Sequence, residues 1–310
     1  MWRYVLRRLC YLLPIFIGIS FFVFFMLHMT PGDPARLMLG DAATETSVQE
    51  LRQEMGLNDP FLMQYGRYIK NAVRGDIGKS YITKSPVAHE VLQAFPATLR
   101  LALFAISIAI LIGVPLGILS AIHQYSLLDN VAMGFALIGI SMPVFWLGLL
   151  LILLFCVWLG WFPASGFDTF RQMVLPAVTL STPSLAIISR ISRSSMLEVV
   201  RQDYICMARA KGQVEWRVIW NHALGNALIP IVTIVGLQFG GLLEGAVVTE
   251  AVFAVPGIGS LLVEAIKTRD YPMVLGGVLF IGVVFSLVNL VVDILYAYID
   301  PRIKARYQNG

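Results

Sequence analysis

Apolar and polar segments alternate along this chain at lengths that are typical of membrane spans. Apolar runs long enough to cross a hydrocarbon core of about 30 Å occur near residues 9–29, 98–122, 131–159, 174–195, 228–250 and 274–299. The first run follows a basic start, as in a signal peptide, but its length of about twenty residues exceeds that of a signal-peptide core. We therefore predict an all-α membrane protein with six transmembrane helices, the first of which is retained.

The distribution of Lys and Arg predicts the orientation of these spans. Segments 1–8, 190–227 and 301–310 carry three, six and three basic residues, whereas the short segments 160–173 and 251–273 carry one and two. By the positive-inside rule, both termini and the 190–227 loop are cytoplasmic. The formal net charge of +4 therefore reflects membrane topology, and we expect contact with membrane lipid and not with nucleic acid.

Three regions follow from this arrangement. Residues 1–29 form the cytoplasmic N-terminus and the first span, and residues 30–97 form an extracytoplasmic helical loop. Residues 98–310 form a five-span core that carries the cytoplasmic loop 190–227. The chain lacks an evident internal repeat, which indicates one half of a transport passage and not both halves.

The long outer loop contains the end signals of two helices. A capping box begins at Ser47, and Gly56 can end that helix. Asp59 and Pro60 can start a second helix that ends near Gly75. The apolar stripe of the second helix consists of Leu62, Tyr65, Ile69 and Val73. We predict a small amphipathic cap on the outer membrane face.

Composition agrees with a membrane location and excludes several classes of protein. Apolar residues make up 57% of the 310 residues, charged residues 14%, and the mean hydropathy is +0.75. No Walker A motif, HExxH or GxSxG occurs, so we predict that the chain is not an enzyme and binds no ATP. The three cysteines and four histidines are scattered, and no metal site is predicted.

A short basic helix is predicted in the cytoplasmic loop, between two apolar runs. Asp203 suits the N-cap, Arg209 and Lys211 fall in the last turn, where the helix dipole favours cations, and Gly212 suits the left-handed position after the helix. A second helix begins at Glu215. Its predicted single face consists of Trp216, Ile219, Trp220 and Ala223.

Few polar groups lie within the spans. Gln238 and Glu244 could line a polar passage or form structural hydrogen bonds to a neighbouring span, and the sequence leaves both interpretations open. Asn289 and Asp293 lie one helical turn apart, which favours a structural pair over a role in transport, and Arg190 or Arg193 is its possible partner.

Prolines interrupt two of the spans. Pro143 lies in the third span, and Pro176 and Pro183 lie in the fourth. Hydroxyl side chains beside them can satisfy the backbone groups that proline releases. Interrupted helices often line cavities, so the candidates for a passage near these prolines are Ser141, Met142, Ser181 and Thr182.

Several motifs, in order and at matching spacings, resemble one transporter family. They are Asp203–Gly212, His222–Pro230, Met1–Arg8, Pro31–Pro34, Gly75–Ser80, Pro96–Leu99, Ser141–Pro143, Val255–Gly259, Arg269–Pro272 and Asp300–Arg302. Together they resemble the permease subunits of ABC importers, in the branch that handles peptides, nickel complexes and glutathione. One departure is Cys206-Met-Ala208, where the wider superfamily has Glu-Ala-Ala.

The resemblance implies a type I ABC importer permease in a bacterial inner membrane. Its coupling residues would be Ala208, Arg209, Ala210, Lys211 and Gly212, seated in a groove of a cytoplasmic ATPase. The implied partners are a homologous second permease subunit, two ATPase subunits that hold ATP and Mg²⁺, and an extracytoplasmic solute-binding protein, which the loop around Asp33 would face. Peptide, nickel complex and glutathione all stay open as the substrate.

The alternative from a different class is a stand-alone ion-coupled secondary transporter or channel. Such a protein would use Glu244 or Asp293 as a proton or ion site and would need no ATPase.

Overall fold

The computed structural model describes residues 2–29, 32–40 and 43–299, and this part of the chain is helical, with one isolated β-bridge and no strand. The thirteen α-helices are α1 Trp2–Met29, α2 Pro34–Leu39, α3 Glu45–Glu54, α4 Phe61–Val73, α5 Val87–Ile122, α6 Leu127–Ser141, α7 Val144–Leu151, α8 Phe170–Val200, α9 Asp203–Ala210, α10 Glu215–Arg217, α11 Leu224–Phe253, α12 Ile258–Lys267 and α13 Tyr271–Ile299. Two π-helical segments, Ile152–Trp158 and Val218–Ala223, continue α7 and α10.

Four helical stretches are long and apolar enough to cross a membrane. They are Val87–Ile122, Phe170–Val200, Glu215–Phe253 and Tyr271–Val292. A fifth span results if α6 and the helix Val144–Trp158 count as one, although they are bent by 106° where Pro143 interrupts the chain. Pro14–Met29 is a shorter apolar helix. The all-α membrane architecture is confirmed, whereas the number six stays a prediction.

The chain divides into two compact units. Among the described residues, the first consists of Thr98–Val255 with 287–299, and the second consists of Trp2–Ala97 with Pro256–Ser286.

In the first unit, α8 is the central helix and packs against α6, α7 and α11. Small residues make this close packing possible. A Cβ built on Gly113 of α5 would lie 2.9 Å from the carbonyl oxygen of Leu185 in α8, and one built on Gly148 of α7 would lie 3.2 Å from Phe253 in α11. Pro176 and Pro183 lie inside α8, which is one unbroken helix, so the predicted interruption of the fourth span is wrong. The predicted interruption at Pro143 is confirmed by the 106° bend.

In the second unit, α4 packs on α1 through aromatic rings. The ring of Phe21 meets those of Phe61 and Tyr65 edge-on, with centroids 5.7 and 5.3 Å apart. The predicted apolar stripe of α4 is therefore wrong at its ends, because Leu62 and Val73 are 70% and 83% exposed. The packed face begins at Phe61, since large rings bury more area than aliphatic side chains.

The predicted start of the α3 helix is also wrong. Thr44 caps α3, its hydroxyl oxygen accepting from the Ser47 amide at 3.3 Å, so the helix begins before the expected capping box. The predicted ends are confirmed at Gly56 and Gly75, whose φ angles of +64° and +86° are left-handed.

Candidate functional site

The short basic helix predicted between two apolar runs exists as α9, and Gly212 ends it. The φ of Gly212 is +74°. Its amide donates to the carbonyl of Arg209 at 2.9 Å, and the Gln213 amide donates to the carbonyl of Ala208 at 3.4 Å. These two bonds are those of a Schellman motif, which satisfies the last carbonyls of a helix and turns the chain sharply.

The predicted role of Asp203 as the N-cap is wrong. Gln202 occupies the N-cap position without a side-chain cap bond, and Asp203 is the first helical residue. The predicted start and the observed start of α9 differ by one residue, a difference that is common at helix ends. The carboxylate still lies in the first turn, where it interacts favourably with the helix dipole.

The inward face of α9 is anchored in a buried cluster. Ile205 is fully buried, and Ala208 is 9% exposed. The cluster contains Ile118, Ala121, Met196, Ile205, Ala208, Val218, Ile219, Ala223, Ala227 and Ile231. These residues come from the ends of α5 and α8, the π-helical segment and the start of α11, so a displacement of α9 reaches all of these elements through direct packing.

The outward face of α9 is exposed and carries the basic residue Arg209. Tyr204 and Met207 are 43% and 60% exposed. Arg209 binds Glu215 with two hydrogen bonds, Nε to Oε2 at 3.1 Å and Nη2 to Oε1 at 2.6 Å. This hydrogen bonding raises the pKa of the Arg209 guanidinium. This bidentate pair connects α9 to α10 at the surface, where an ion pair contributes little to stability.

The helix predicted to begin at Glu215 is not a separate element. It runs from Glu215 through the π-helical segment into α11, giving one helical stretch Glu215–Phe253. Trp216 and Trp220 are exposed, with ring centroids 4.9 Å apart. Ile219 and Ala223 are buried instead, so the prediction of a single face is wrong. Hydrogen bonds in a π-helix run from i to i+5, which shifts the helical register.

A buried ion pair that sequence reasoning missed lies beside this cluster. Nε and Nη2 of Arg193 donate to Oδ1 and Oδ2 of Asp129, both at 2.7 Å. Ser120 also donates to the carboxylate, as does the Tyr125 amide at 2.9 Å. Asp129 is 2% exposed. The pair joins the end of α5 and the start of α6 to α8.

The partner expected for Arg193 was Asp293, whose side chain lies outside the described residues. Asp129 and Arg193 are 64 residues apart in sequence, which explains why no local pattern connected them. The sequence did contain one signal, an N-cap serine followed three positions later by an acidic residue. The Ser126 hydroxyl caps α6 by accepting from the Asp129 amide at 3.2 Å.

The passage candidates near the prolines lie on α6 and α8. Ser181 is buried, and its hydroxyl donates to the Val178 carbonyl at 2.9 Å; the Thr182 hydroxyl donates to the same carbonyl at 2.8 Å. Ser141 is exposed and donates to its own helix, while Met142 forms the C-cap at the 106° bend. A Cβ built on Gly139 would lie 3.0 Å from Thr182, so α6 and α8 touch at this point.

Gln238 and Glu244 of α11 occupy different environments. Gln238 donates from Nε2 to the Ser184 hydroxyl at 3.1 Å and so joins α11 to α8. Glu244 is exposed and lies on a stripe of exposed residues. The stripe consists of Leu237, Gly241, Glu244, Gly245 and Val248.

A second buried carboxylate was also missed. Glu250, near the end of α11, is fully buried and accepts from the Thr98 hydroxyl at 2.6 Å. Its position at the predicted end of an apolar run gave no reason to distinguish it from an interfacial residue.

In the second unit, Asp33 begins α2. Its Oδ1 accepts from the Ala35 amide at 3.1 Å, and Pro34 occupies the first helical position. Nη1 of Arg52 lies 3.6 Å from Oδ2 of Asp33. Pro31, the first residue of this motif, lies outside the described residues. Across the described ranges, no group of three or more His, Cys, Asp or Glu could hold a metal ion.

Family comparisons cover almost the whole chain. Residues 113–305 match the family described as binding-protein-dependent transport system inner membrane component. Residues 1–102 match the N-terminal family of the same membrane components. The chain is 44% identical to the dipeptide transport system permease protein DppB of Alkalihalophilus pseudofirmus, over 98% of this chain and 100% of the relative. It is 43% identical to the glutathione transport system permease protein GsiC of Escherichia coli, over 98% and 99%.

Solved structures show the same fold. An inward-facing structure of the MetNI methionine ABC transporter contains a chain with a TM-score of 0.58 at 19% identity, covering 68% of this chain and 96% of that one. A chain of an amino acid ABC transporter has a TM-score of 0.53 at 17% identity, covering 69% and 94%. With the family matches, this similarity decides against the stand-alone carrier or channel. The chain belongs to the inner membrane components of binding-protein-dependent transport systems and is a permease subunit of an ABC importer.

Proposed function

We propose that this permease subunit forms half of the transmembrane passage for di- or oligopeptides or a related small solute such as glutathione. The supporting observation is that relatives 42–44% identical over 98% of the chain are named for dipeptides, di/tripeptides and glutathione. Nickel complexes, the third substrate class that the motifs suggested, have no support from these names.

The assembly that suits this subunit contains a second permease subunit, two cytoplasmic ATPase subunits and an extracytoplasmic solute-binding protein. ATP and Mg²⁺ are held by the ATPase subunits, which carry out the hydrolysis. The basic residues favour an orientation with both termini and α9 in the cytoplasm. The loop around Asp33 then lies on the side of the solute-binding protein.

In this assembly, α9 is the coupling helix. Arg209, Ala210, Lys211 and Gly212 are exposed and seat in a groove of the ATPase, whereas Ala208, which was also expected there, packs in the buried cluster. The inward face is packed in the buried cluster, and the outward face is exposed with Arg209 at its end. A rigid helix with a sharp end suits the transfer of force between two proteins.

Closure of the ATPase subunits is then transmitted to the spans along two routes. One route runs from α10 through the π-helical segment into α11, because these form one continuous helical stretch. The other runs through Met196 of α8, which is fully buried in the same cluster. Ser181 and Thr182 of α8 and Gln238 and Glu244 of α11 are passage residues on these spans. The other two passage residues, Ser141 and Met142, lie at the end of α6, which packs against α8.

The coupling role can be tested by separating the two functions of Arg209. Arg209→Ala removes the cation and its bond to Glu215, whereas Glu215→Ala removes the same bond and the anion but keeps the cation. We expect copurification of candidate ATPase subunits from detergent to fall strongly with Arg209→Ala and to change little with Glu215→Ala. Arg201→Ala, an exposed arginine outside α9, is the matched control.

Contact with the ATPase through α9 is contradicted if Arg209→Ala and a Gly212→Pro variant, both still inserted in the membrane, copurify with the ATPase as wild type does. ATP-dependent uptake of a dipeptide by the reconstituted complex provides the second measurement. Uptake without ATP would contradict the importer assembly itself.

A further inference from the structure

The second unit contains a cavity of about 820 Å³. Helices α2, α3 and α4, the end of α1, the turn 77–84 and the start of α13 provide its walls. A volume between about 300 and 1,000 Å³ is typical of sites for small molecules. The cavity lies in the region that the basic residues predict to be extracytoplasmic. Its lining contains none of the coupling or passage residues, but it does contain Asp33, the residue expected to face the solute-binding protein.

Cationic side chains outnumber anionic ones in the lining of this cavity. The charged residues that line it are Arg52, Arg67, Lys79, Lys84 and Asp33. Arg67 is neutralised by an ion pair with Asp59, and Asp33 lies 3.6 Å from Arg52. Both lysines are exposed. The net positive charge favours an anionic ligand.

The two lysines project from a turn that is held rigidly. The Ser80 amide donates to the Ser85 carbonyl at 2.9 Å. The carboxylate of Asp270, 3% exposed, accepts from the Ser80 hydroxyl and from the Tyr81 amide at 3.0 Å. Lys84 has a φ of +61°, a left-handed conformation that is uncommon for a residue other than Gly, Asn or Asp and that persists only where surrounding contacts enforce it.

Polar groups without a partner lie in the residues that line the same cavity. Nε of Arg52 and the hydroxyls of Tyr68 and Tyr271 are buried and make no hydrogen bond within the described structure. Buried polar groups are nearly always hydrogen-bonded, and those that are not require an explanation. Burial raises the pKa of Tyr81, also in the lining, to about 12, so its hydroxyl stays protonated and can donate.

We propose that this cavity binds the carboxylate group of a small solute, held by Arg52 together with Lys79 and Lys84. A guanidinium matches the two oxygens of a carboxylate, and lysines add point charges at the opening. The apolar and aromatic lining, including Tyr68 and Tyr271, covers the rest of the ligand. The volume admits a molecule of dipeptide size, and the net positive charge of the lining favours an anionic ligand over a cationic one.

The test uses the full chain in nanodiscs of zwitterionic lipid and isothermal titration with two probes. N-acetyl-alanyl-alanine carries one carboxylate, and its C-terminal amide is the uncharged equivalent. We expect the acid to bind at least about tenfold more tightly than the amide, since a hydrogen bond to a charged group contributes this much or more. Arg52→Gln should remove most of that preference.

A second pair of variants keeps the test decisive if Arg52→Gln does not fold. Lys79→Gln combined with Lys84→Asn removes two cations from the opening and should weaken binding of the acid about tenfold. Asparagine is chosen at position 84 because it tolerates the left-handed conformation. Lys70→Gln, on α4 but outside the cavity lining, should change nothing. Equal binding of acid and amide, or unchanged binding in every variant, would overturn the proposal.

A further arm distinguishes a solute from a lipid headgroup. The chain in nanodiscs that contain phosphatidylglycerol should bind the acid with the same affinity as the chain in zwitterionic nanodiscs. If the acid no longer binds in the anionic nanodiscs, the ligand of the cavity is a lipid headgroup, and the proposal of a small solute is overturned. Copurification of the ATPase subunits should be unaffected by Arg52→Gln, so failure of this proposal leaves the coupling role of α9 intact.

Discussion

The buried pair Asp129–Arg193 shows how much a single contact can contribute where α5, α6 and α8 meet. The carboxylate has four donors, two from Arg193, one from Ser120 and one from the Tyr125 amide. Burial of a charge costs free energy, which this set of hydrogen bonds offsets. Removing one partner leaves the other charge uncompensated.

Asp129→Asn should therefore destabilise the purified chain by on the order of 3 kcal/mol, as breaking a buried pair commonly does. The double variant Asp129→Asn, Arg193→Gln should lose less free energy of unfolding than the two single variants lose together, since neither side chain is then left as an unpaired charge. Thermal unfolding in one detergent measures all three. Glu198→Gln, exposed on α8, is the control, and additive losses would contradict a direct coupling.

At the scale of elements, the end of α9 depends on the left-handed conformation of Gly212. A Cβ built there would meet no atom within 4 Å, so a substitution acts through the backbone alone. Gly212→Ala should cost roughly 1–2 kcal/mol, and Gly212→Asn should cost less, because asparagine visits this region more readily.

Gly225→Ala is the matched control for Gly212→Ala. It is also open around its Cβ, but it lies inside α11, where alanine is favoured by roughly 1 kcal/mol. Unfolding of the purified chain should therefore shift in opposite directions for the two alanine variants. A shift in the same direction would mean that the φ of Gly212 does not determine the effect.

The elements differ in how far local sequence predicted them. The ends of α3, α4 and α9 were predicted correctly because a left-handed glycine acts within one turn. Their starts were wrong by one to three residues, because Thr44, Asp59-Pro60 and Gln202-Asp203 each offer more than one capping register. The continuous helix from Glu215 was missed because a π-helical segment has no simple apolar period.

At the scale of the whole molecule, Glu244 is a carboxylate inside a predicted span that is exposed on the surface of this subunit. Ionisable residues within membranes almost always face a water-filled cavity or a protein partner. Its exposure is therefore consistent with a surface that the assembled transporter covers or that the solute passes.

Glu244→Gln should leave ATPase copurification and ATP hydrolysis unchanged, while ATP-dependent uptake of a dipeptide falls several-fold if the residue lines the passage. The comparison uses reconstituted complexes over a range of pH. Glu264→Gln, exposed on α12, is the control. Wild-type uptake in the Glu244→Gln complex would make the residue dispensable, and ATP-independent uptake that loses its pH dependence would instead favour ion coupling.

The sequence by itself determined the membrane class, the helical architecture and the position of the short basic helix α9, because these depend on apolar run length, basic residues and a glycine acting over a few neighbours. The tertiary structure alone decided that Arg193 binds Asp129, that Gln238 binds Ser184 and that Arg52 and two lysines line one cavity. Such contacts join residues far apart in the chain, and only the packing of helices selects them among the many pairings that the sequence permits.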